Sequence, residues 1–191
     1  MLAGLLNRMF PAIRHAETFV RTRLDAWSDW LAPLPDKNGS ESGVGRDPAY
    51  EEAFFAIKDE AGKLSDIDDN AIVRQCEQLV IGVGKDLRLA GYYATARLRR
   101  DGVPGFADGV ELAAALVDWF DDAILPARAE ARRGALDMLA TPRVLEHLDA
   151  CGPVEIKDLE RTMAALDVLL AHVDGWPETM RPKLQALVTH F

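Results

Sequence analysis

The sequence predicts an all-α fold, a multi-helix bundle of about eight helices with no sheet. Apolar residues recur at alternating three- and four-residue steps, which places them on one face of a 3.6-residue helix in stretch after stretch. No segment of four or more residues alternates apolar and polar side chains as a half-buried strand does. Gly, Pro and Asp fall between the stretches, at the positions where helices start and stop.

Residues 1–34 read as an N-terminal amphipathic helix. Its stripe is Ile13, Ala16, Val20, Leu24, Trp27 and Leu31, widened by Phe19 and Trp30, with Pro11 near a permitted first-turn position. This face is unusually broad, and tryptophan is favoured both in cores and at interfaces, so Phe19, Trp27 and Trp30 are candidates for an interface, including one with a second copy of the chain. Residues 35–46, PDKNGSESGVGR, lose all periodicity and gather Gly, Ser and charge, which predicts a flexible linker. Asp47-Pro48 restarts order: the Asp carboxylate can accept from first-turn N–H groups, and Pro at the first helical position loses no needed donor.

Tyr50, Phe54, Ile57, Ala61 and Leu64 make the next stripe, and after the acidic turn Ser65 to Asn70 a third follows with Ile72, Cys76, Leu79 and Val83. Gly82 and Gly84 predict a bend. Leu87, Ala90, Ala94 and Leu98 form a fourth helix ending at Asp101-Gly102, where glycine can take the left-handed stop conformation. After Val103-Pro104-Gly105, a fifth carries Val110, Ala113, Leu116, Phe120 and Ile124 and stops at Pro126. Ala131 to Leu139 is a sixth, and Pro142 opens a short one that closes at Cys151-Gly152-Pro153. Ile156, Leu159, Met163, Leu166, Leu170 and Val173 give the cleanest stripe, broken by Gly175-Trp176-Pro177. Met180, Leu184, Leu187 and Phe191 form the last, and the chain stops inside that stripe, which reads as a cut from a longer protein.

Charge narrows the function. The 191 residues hold 31 acidic and 22 basic side chains, a formal −9, so nucleic-acid backbones and anionic lipid surfaces are repelled by the average field. Two cysteines, Cys76 and Cys151, are too few for a disulfide framework and lack zinc-site spacing, which fits a reducing compartment. No leader and no membrane-spanning run is read, so a cytoplasmic location without membrane insertion is expected.

Motifs for chemistry fail at named positions. Asp66, Asp68, Asn70 and Glu77 match a calcium loop at its first, third, fifth and twelfth places, but Ala71 stands where the loop needs glycine. Gly82-Val83-Gly84-Lys85 is like a phosphate loop, but Leu79 replaces the first glycine and Asp86 the Ser or Thr. His15, His147, His172 and His190 lie far apart, with no nucleophile turn, and Asp68-Asp69 and Asp121-Asp122 read as solvated neighbours. No enzyme, metal or cofactor is expected. Basic residues Lys85, Arg88, Arg97, Arg99, Arg100, Arg128, Arg132 and Arg133 concentrate mid-chain, where they either pair internally, with Asp86 as the partner of a guanidinium on a neighbouring helix, or form a patch for an acidic protein partner.

From about Gly45 to Ala140 the order of motifs resembles the ImpA-type N-terminal domain of TssA, a component of the bacterial type VI secretion system. The words are Gly45-Arg46-Asp47-Pro48-Ala49-Tyr50, Lys63-Leu64-Ser65-Asp66-Ile67-Asp68, Lys85-Asp86-Leu87-Arg88 with Tyr92-Tyr93, Asp101-Gly102-Val103-Pro104-Gly105-Phe106-Ala107-Asp108-Gly109, and Leu125-Pro126 followed by Arg132-Arg133-Gly134-Ala135-Leu136. The sequence departs from the family at Gly84, Ala71 and Met138, where relatives carry Ser, Trp and an aromatic residue. The resemblance is strongest to the longer TssA subgroup, and the same domain occurs in TagA-like relatives.

The resemblance implies a helical domain over residues 47–140 and a helical extension over 141–191 leading toward a ring-forming C-terminal region. It implies a non-catalytic subunit that contacts baseplate, sheath and tube proteins and promotes assembly of the contractile tail. Asp47, Pro48, Tyr50, Lys85, Asp86, Arg88, Gly102, Gly105, Pro126 and Arg133 are then motif residues that fix helix packing, and Asp86→Ala is expected to lower the melting temperature by several degrees. A helical regulatory domain that binds a small ligand or metal, unrelated to secretion, is the alternative.

Overall fold

The computed structural model describes residues 3–35 and 43–191. The helices are α1 (Gly4–Met9), α2 (Ala16–Asp25), α3 (Glu52–Ala61), α4 (Asp69–Gly82), α5 (Leu87–Asp101), α6 (Val103–Phe120), α7 (Ala129–Asp137), α8 (Pro142–Ala150), α9 (Ile156–Val173) and α10 (Gln185–His190), with 3-10 turns at Pro48–Tyr50, Asp121–Ala123, Met138–Ala140 and Glu178–Met180. Extended pairing among the described residues is limited to isolated bridges, so the fold is all-α, as expected. No helix among them is long and apolar enough to cross a membrane.

A hairpin of α5 and α6 is the centre. Gly102 alone joins the two helices, at φ +71°, a conformation that costs glycine little. Further along, a Cβ at Gly109 would lie 2.3 Å from both Cα and Cβ of Ala94, so the absence of a side chain there lets the helices touch. On the α5 side lie α4 and then α3, while α7, α8 and the turn between them also cover α5. On the α6 side lies α9, with α1 and α2 against it. Covered from both sides, α6 buries Val103, Phe106, Val110, Leu112, Ala113, Ala114, Leu116 and Val117, which explains an apolar composition far wider than one stripe.

The first expected helix is shorter and divided. Its stripe is helical only over Ala16–Asp25, and beyond it Trp27, Ser28, Trp30 and Leu31 donate to carbonyls three residues back, in tightened turns that keep the three-residue spacing of Trp27 and Trp30. A separate helix, α1, precedes Pro11. Asp167 of α9 fastens it by accepting from the backbone N–H groups of Leu5 (2.6 Å) and Leu6 (2.7 Å). The expected linker falls largely on residues 36–42, outside the described residues. Its end is held: Leu34 N–H donates to Gly43 O (2.9 Å), Arg46 N–H to Val83 O (3.0 Å), and Lys85 N–H to Val44 O (2.8 Å).

Candidate functional site

Three of the motif words meet in one clasp. The strip at residues 43–46 lies along Val83-Gly84-Lys85, and Lys85-Asp86-Leu87 in turn pairs with Leu125, whose N–H donates to Lys85 O (3.0 Å) and whose carbonyl accepts from Leu87 N–H (2.9 Å). The first crossing is too close for side chains. A Cβ on Gly84 would meet Arg46 O at 2.0 Å, and one on Gly45 would meet Val83 O at 2.3 Å. The phosphate-loop look of Gly82 to Lys85 therefore has a packing cause.

Arg88 ties the clasp. Its Nη2 donates to Asp86 Oδ2 and Asp47 Oδ1, both at 2.6 Å, and its Nε to Asp86 Oδ1 at 3.0 Å. Each carboxylate also caps a helical element: Asp86 accepts from Arg88 N–H (2.8 Å) at the start of α5, and Asp47 from Ala49 N–H (2.9 Å) at the start of the 48–50 turn. Burial alone would lower the Arg88 pKa, but Asp86 and Asp47 hold it above its ordinary value. Burial raises the Asp86 carboxyl against the pull of Arg88. The guanidinium lies 4.9 Å over the Phe54 ring, which meets Tyr92 edge-on, so the charge cluster also positions α3.

Lys85 is fully buried and has no ion pair among the described residues. Its ammonium donates to Trp30 O (2.6 Å) and Val80 O (2.7 Å), fastening the segment after α2 to α4. Burial pushes its pKa down to about 8. The unfolded chain then holds the extra proton from that value up to the free lysine value near ~10.4, so the stability carried by Lys85 is flat below about pH 8 and rises with pH through that window. Urea unfolding of wild type and Lys85→Met should show their stability difference moving in favour of wild type by about 2 kcal/mol between pH 8 and 10. Cys76, whose thiol burial also pushes up, acts on both chains and cancels. A pH-independent difference would mean that Lys85 does not titrate in the folded state.

Two residues of the expected α3 stripe face solvent instead of the core. Tyr50 is 77% exposed and Leu64 94%, because the 3-10 turn ends before α3 begins and α3 ends before Leu64; Phe55, within α3, is 53% exposed. Three large apolar side chains thus stand on α3 and its two flanking words.

Residues 31–141, more than half of the chain, match the family described as ImpA, N-terminal, type VI secretion system. The chain belongs to this family. A solved structure shares the fold: the N-terminal domain including the conserved ImpA_N region of the TssA component of the type VI secretion system from Burkholderia cenocepacia, with a TM-score of 0.62 and 20% identity over 85% of this chain and 88% of that chain. No curated protein matches the chain.

Other motif residues of this ImpA N-terminal domain sit away from the clasp. Gly102 and Gly105 serve the α5–α6 hairpin, where a Cβ on Gly105 would meet Arg97 O at 2.5 Å. Pro126 is buried after a cis Leu125-Pro126 bond. Arg133 Nη1 donates to Thr179 O (2.7 Å), joining α7 to the C-terminal segment. Of the candidate interface residues, Phe19, Trp27 and Trp30 are all half-buried against the core, and both indoles meet Tyr93 edge-on, at 6.2 and 5.4 Å.

A second charge cluster escaped the sequence reading. Glu111 of α6, 1% exposed, lies between two guanidiniums: Arg23 of α2 donates to its two oxygens at 2.6 and 2.9 Å, and Arg161 of α9 at 3.1 and 2.9 Å. Arg161 also bonds Asp108, which reaches Arg97 of α5 at 2.7 Å. Burial would raise the Glu111 carboxyl, but the two arginines hold it below its ordinary range. A lone glutamate in the apolar run Val110 to Val117 was the available signal.

As metal ligands, Asp121, Asp122 and His172 are the residues to consider, with one ligand atom each within 4.8 Å of the others. They suit a metal poorly. His172 Nδ1 faces Asp121 at 3.2 Å while its Nε2 is buried without the acceptor that orients a ligating imidazole, and Arg132 reaches Asp122 at 3.4 Å.

Proposed function

We propose that this domain is a non-catalytic assembly subunit of the type VI secretion system, acting in the cytoplasm and contacting baseplate, sheath and tube proteins to promote building of the contractile tail. The observation that carries the proposal is family membership across residues 31–141, joined to what the motif words build. Within the clasp, Asp47, Asp86 and Arg88 bond one another, while Tyr50, Phe55 and Leu64, on and beside α3, are exposed apolar groups, as suits a docking surface better than a reactive centre.

The test uses purified sheath, tube and baseplate subunits, each titrated against the chain and against Phe55→Glu/Leu64→Glu. Both positions are exposed, so the double variant should melt as wild type does. A charge in a desolvated apolar contact should weaken binding of at least one subunit by tenfold or more. Equal binding by the variant would remove α3 as the contact, and no binding of any subunit by wild type would overturn the assembly role for this domain.

A further inference from the structure

The C-terminal end of α6 carries a second exposed aromatic group, apart from the motif-bearing face. Trp119 is 49% exposed and borders a hollow of about 290 Å³ between α2 and α6, whose wall includes Arg21, Asp25 and Asp118. Asp118 also borders a second hollow of about 290 Å³, between α6 and α9, whose wall includes Asp121 and His172. Asp122 adjoins Asp121 and His172. Two concavities thus lie side by side with Asp118 common to both.

Their charge is one-sided. Four carboxylates, Asp25, Asp118, Asp121 and Asp122, face two guanidiniums, Arg21 on Asp118 at 2.5 Å and Arg132 on Asp122 at 3.4 Å. Asp121 and Asp122 are 78% and 83% exposed, and among the described residues Asp121 pairs only with the ring nitrogen of His172. An indole face with carboxylates around it attracts a cation through the ring quadrupole and through charge-assisted hydrogen bonds.

We propose that this face docks a basic segment of a partner protein, one Lys or Arg side chain entering each hollow and one of them lying against Trp119. An anionic occupant would be repelled by four carboxylates set against two guanidiniums, and a purely apolar one would desolvate Asp25, which has no ion pair among the described residues. A second copy of this chain, at a net −9, brings more negative charge to a face that is already negative. The inference rests on charge and shape alone, so it and the type VI reading can fail separately.

The probes are short synthetic peptides with two arginines placed four residues apart, for a helical partner, or two apart, for an extended one, each with a glutamate twin. They are titrated at about 0.15 M salt, which screens long-range attraction, into the isotope-labelled chain and followed by NMR. Saturable binding of either arginine peptide is expected, with shifts centred on the Trp119 indole, Asp118 and Asp121. Trp119→Ala and Asp25→Asn/Asp121→Asn should each weaken it tenfold or more with unchanged melting. Failure of both arginine peptides, equal binding by the glutamate twins, or shifts spread over all acidic surfaces and surviving Trp119→Ala would overturn the proposal. So would sedimentation showing a wild-type dimer that Trp119→Ala converts to monomer, since the face would then serve self-association.

Discussion

Replacing Glu111 with alanine is expected to cost about 4 kcal/mol of stability, the range for breaking a buried ion pair from one side. For a chain of this size that is a drop of roughly 10 °C in melting temperature. The carboxylate joins three helices, and its loss takes from Arg23 its buried partner while Arg161 keeps Asp108 and Asp158. Local opening should follow first at α2, which Arg23 ties to α6, and hydrogen exchange across Ala16–Asp25 should accelerate before the rest of the chain melts. The pH dependence has a definite sign. A carboxyl depressed in the folded state contributes stability that is present above its unfolded value, near ~4.3, and is lost as pH falls through the folded value, so the gap between wild type and variant should narrow in acid. Glu111→Gln, which keeps the shape, should lose less. A melting temperature within a degree or two of wild type, with α2 still protected, would show that the arginines find other partners and that Glu111 is no hub.

How much of this was legible in sequence depends on the range of the interaction involved. Helices α4, α5, α6, α8 and α9 were visible because their stripes and caps are local: Asp68 accepts from Ala71 N–H (2.9 Å), Thr141 from Val144 N–H (3.3 Å), and Gly102 breaks α5 where its φ requires. The first helix was overextended because a stripe at three-residue spacing is shared by α-helix and by the tightened turns at Trp27 to Leu31, and only the hydrogen-bond pattern separates them. Tyr50 and Leu64 fit the stripe of α3 on paper, yet the backbone leaves the helix before reaching either.

The clasp was half visible. Asp86 was read as a partner for a guanidinium on a neighbouring helix, but the one it takes is Arg88, two residues on in the helix that Asp86 itself caps; that Asp47, forty-one residues from Arg88, shares the same nitrogen follows only from the close approach at Gly45 and Gly84. Lys85 stood among the motif residues expected to fix helix packing, but its burial and its partners had no signal, since those partners are carbonyl oxygens, which every residue carries. Trp119 was hidden for a related reason: it stands in a stretch apolar enough for core, and its exposure is decided by where α2 and α9 end beside it.

Asp86→Ala is the second variant expected to have a large effect, and it tests what the motif words are for. Asp86 is fully buried and accepts three bonds from Arg88 side-chain nitrogens and one from the backbone N–H that opens α5. Alanine removes a helix cap, typically ~1 kcal/mol, and leaves a guanidinium, 22% exposed, with Asp47 as its remaining carboxylate partner. Together these should lower stability by about 4 kcal/mol and the melting temperature by roughly 10 °C. Asp86→Asn should fall between, because the amide oxygen can still cap α5 while the charge is gone. Asp47→Ala should cost less than either, since Asp47 is the more exposed partner and Arg88 keeps Asp86. Binding of sheath or baseplate subunits by Asp86→Ala, measured well below its lowered melting point, should match wild type, whereas Phe55→Glu/Leu64→Glu should lose binding at an unchanged melting point. The reverse pattern, an unchanged melting curve with lost binding in Asp86→Ala, would move the contact from α3 to the clasp itself and make the KDLR word an interface rather than a brace.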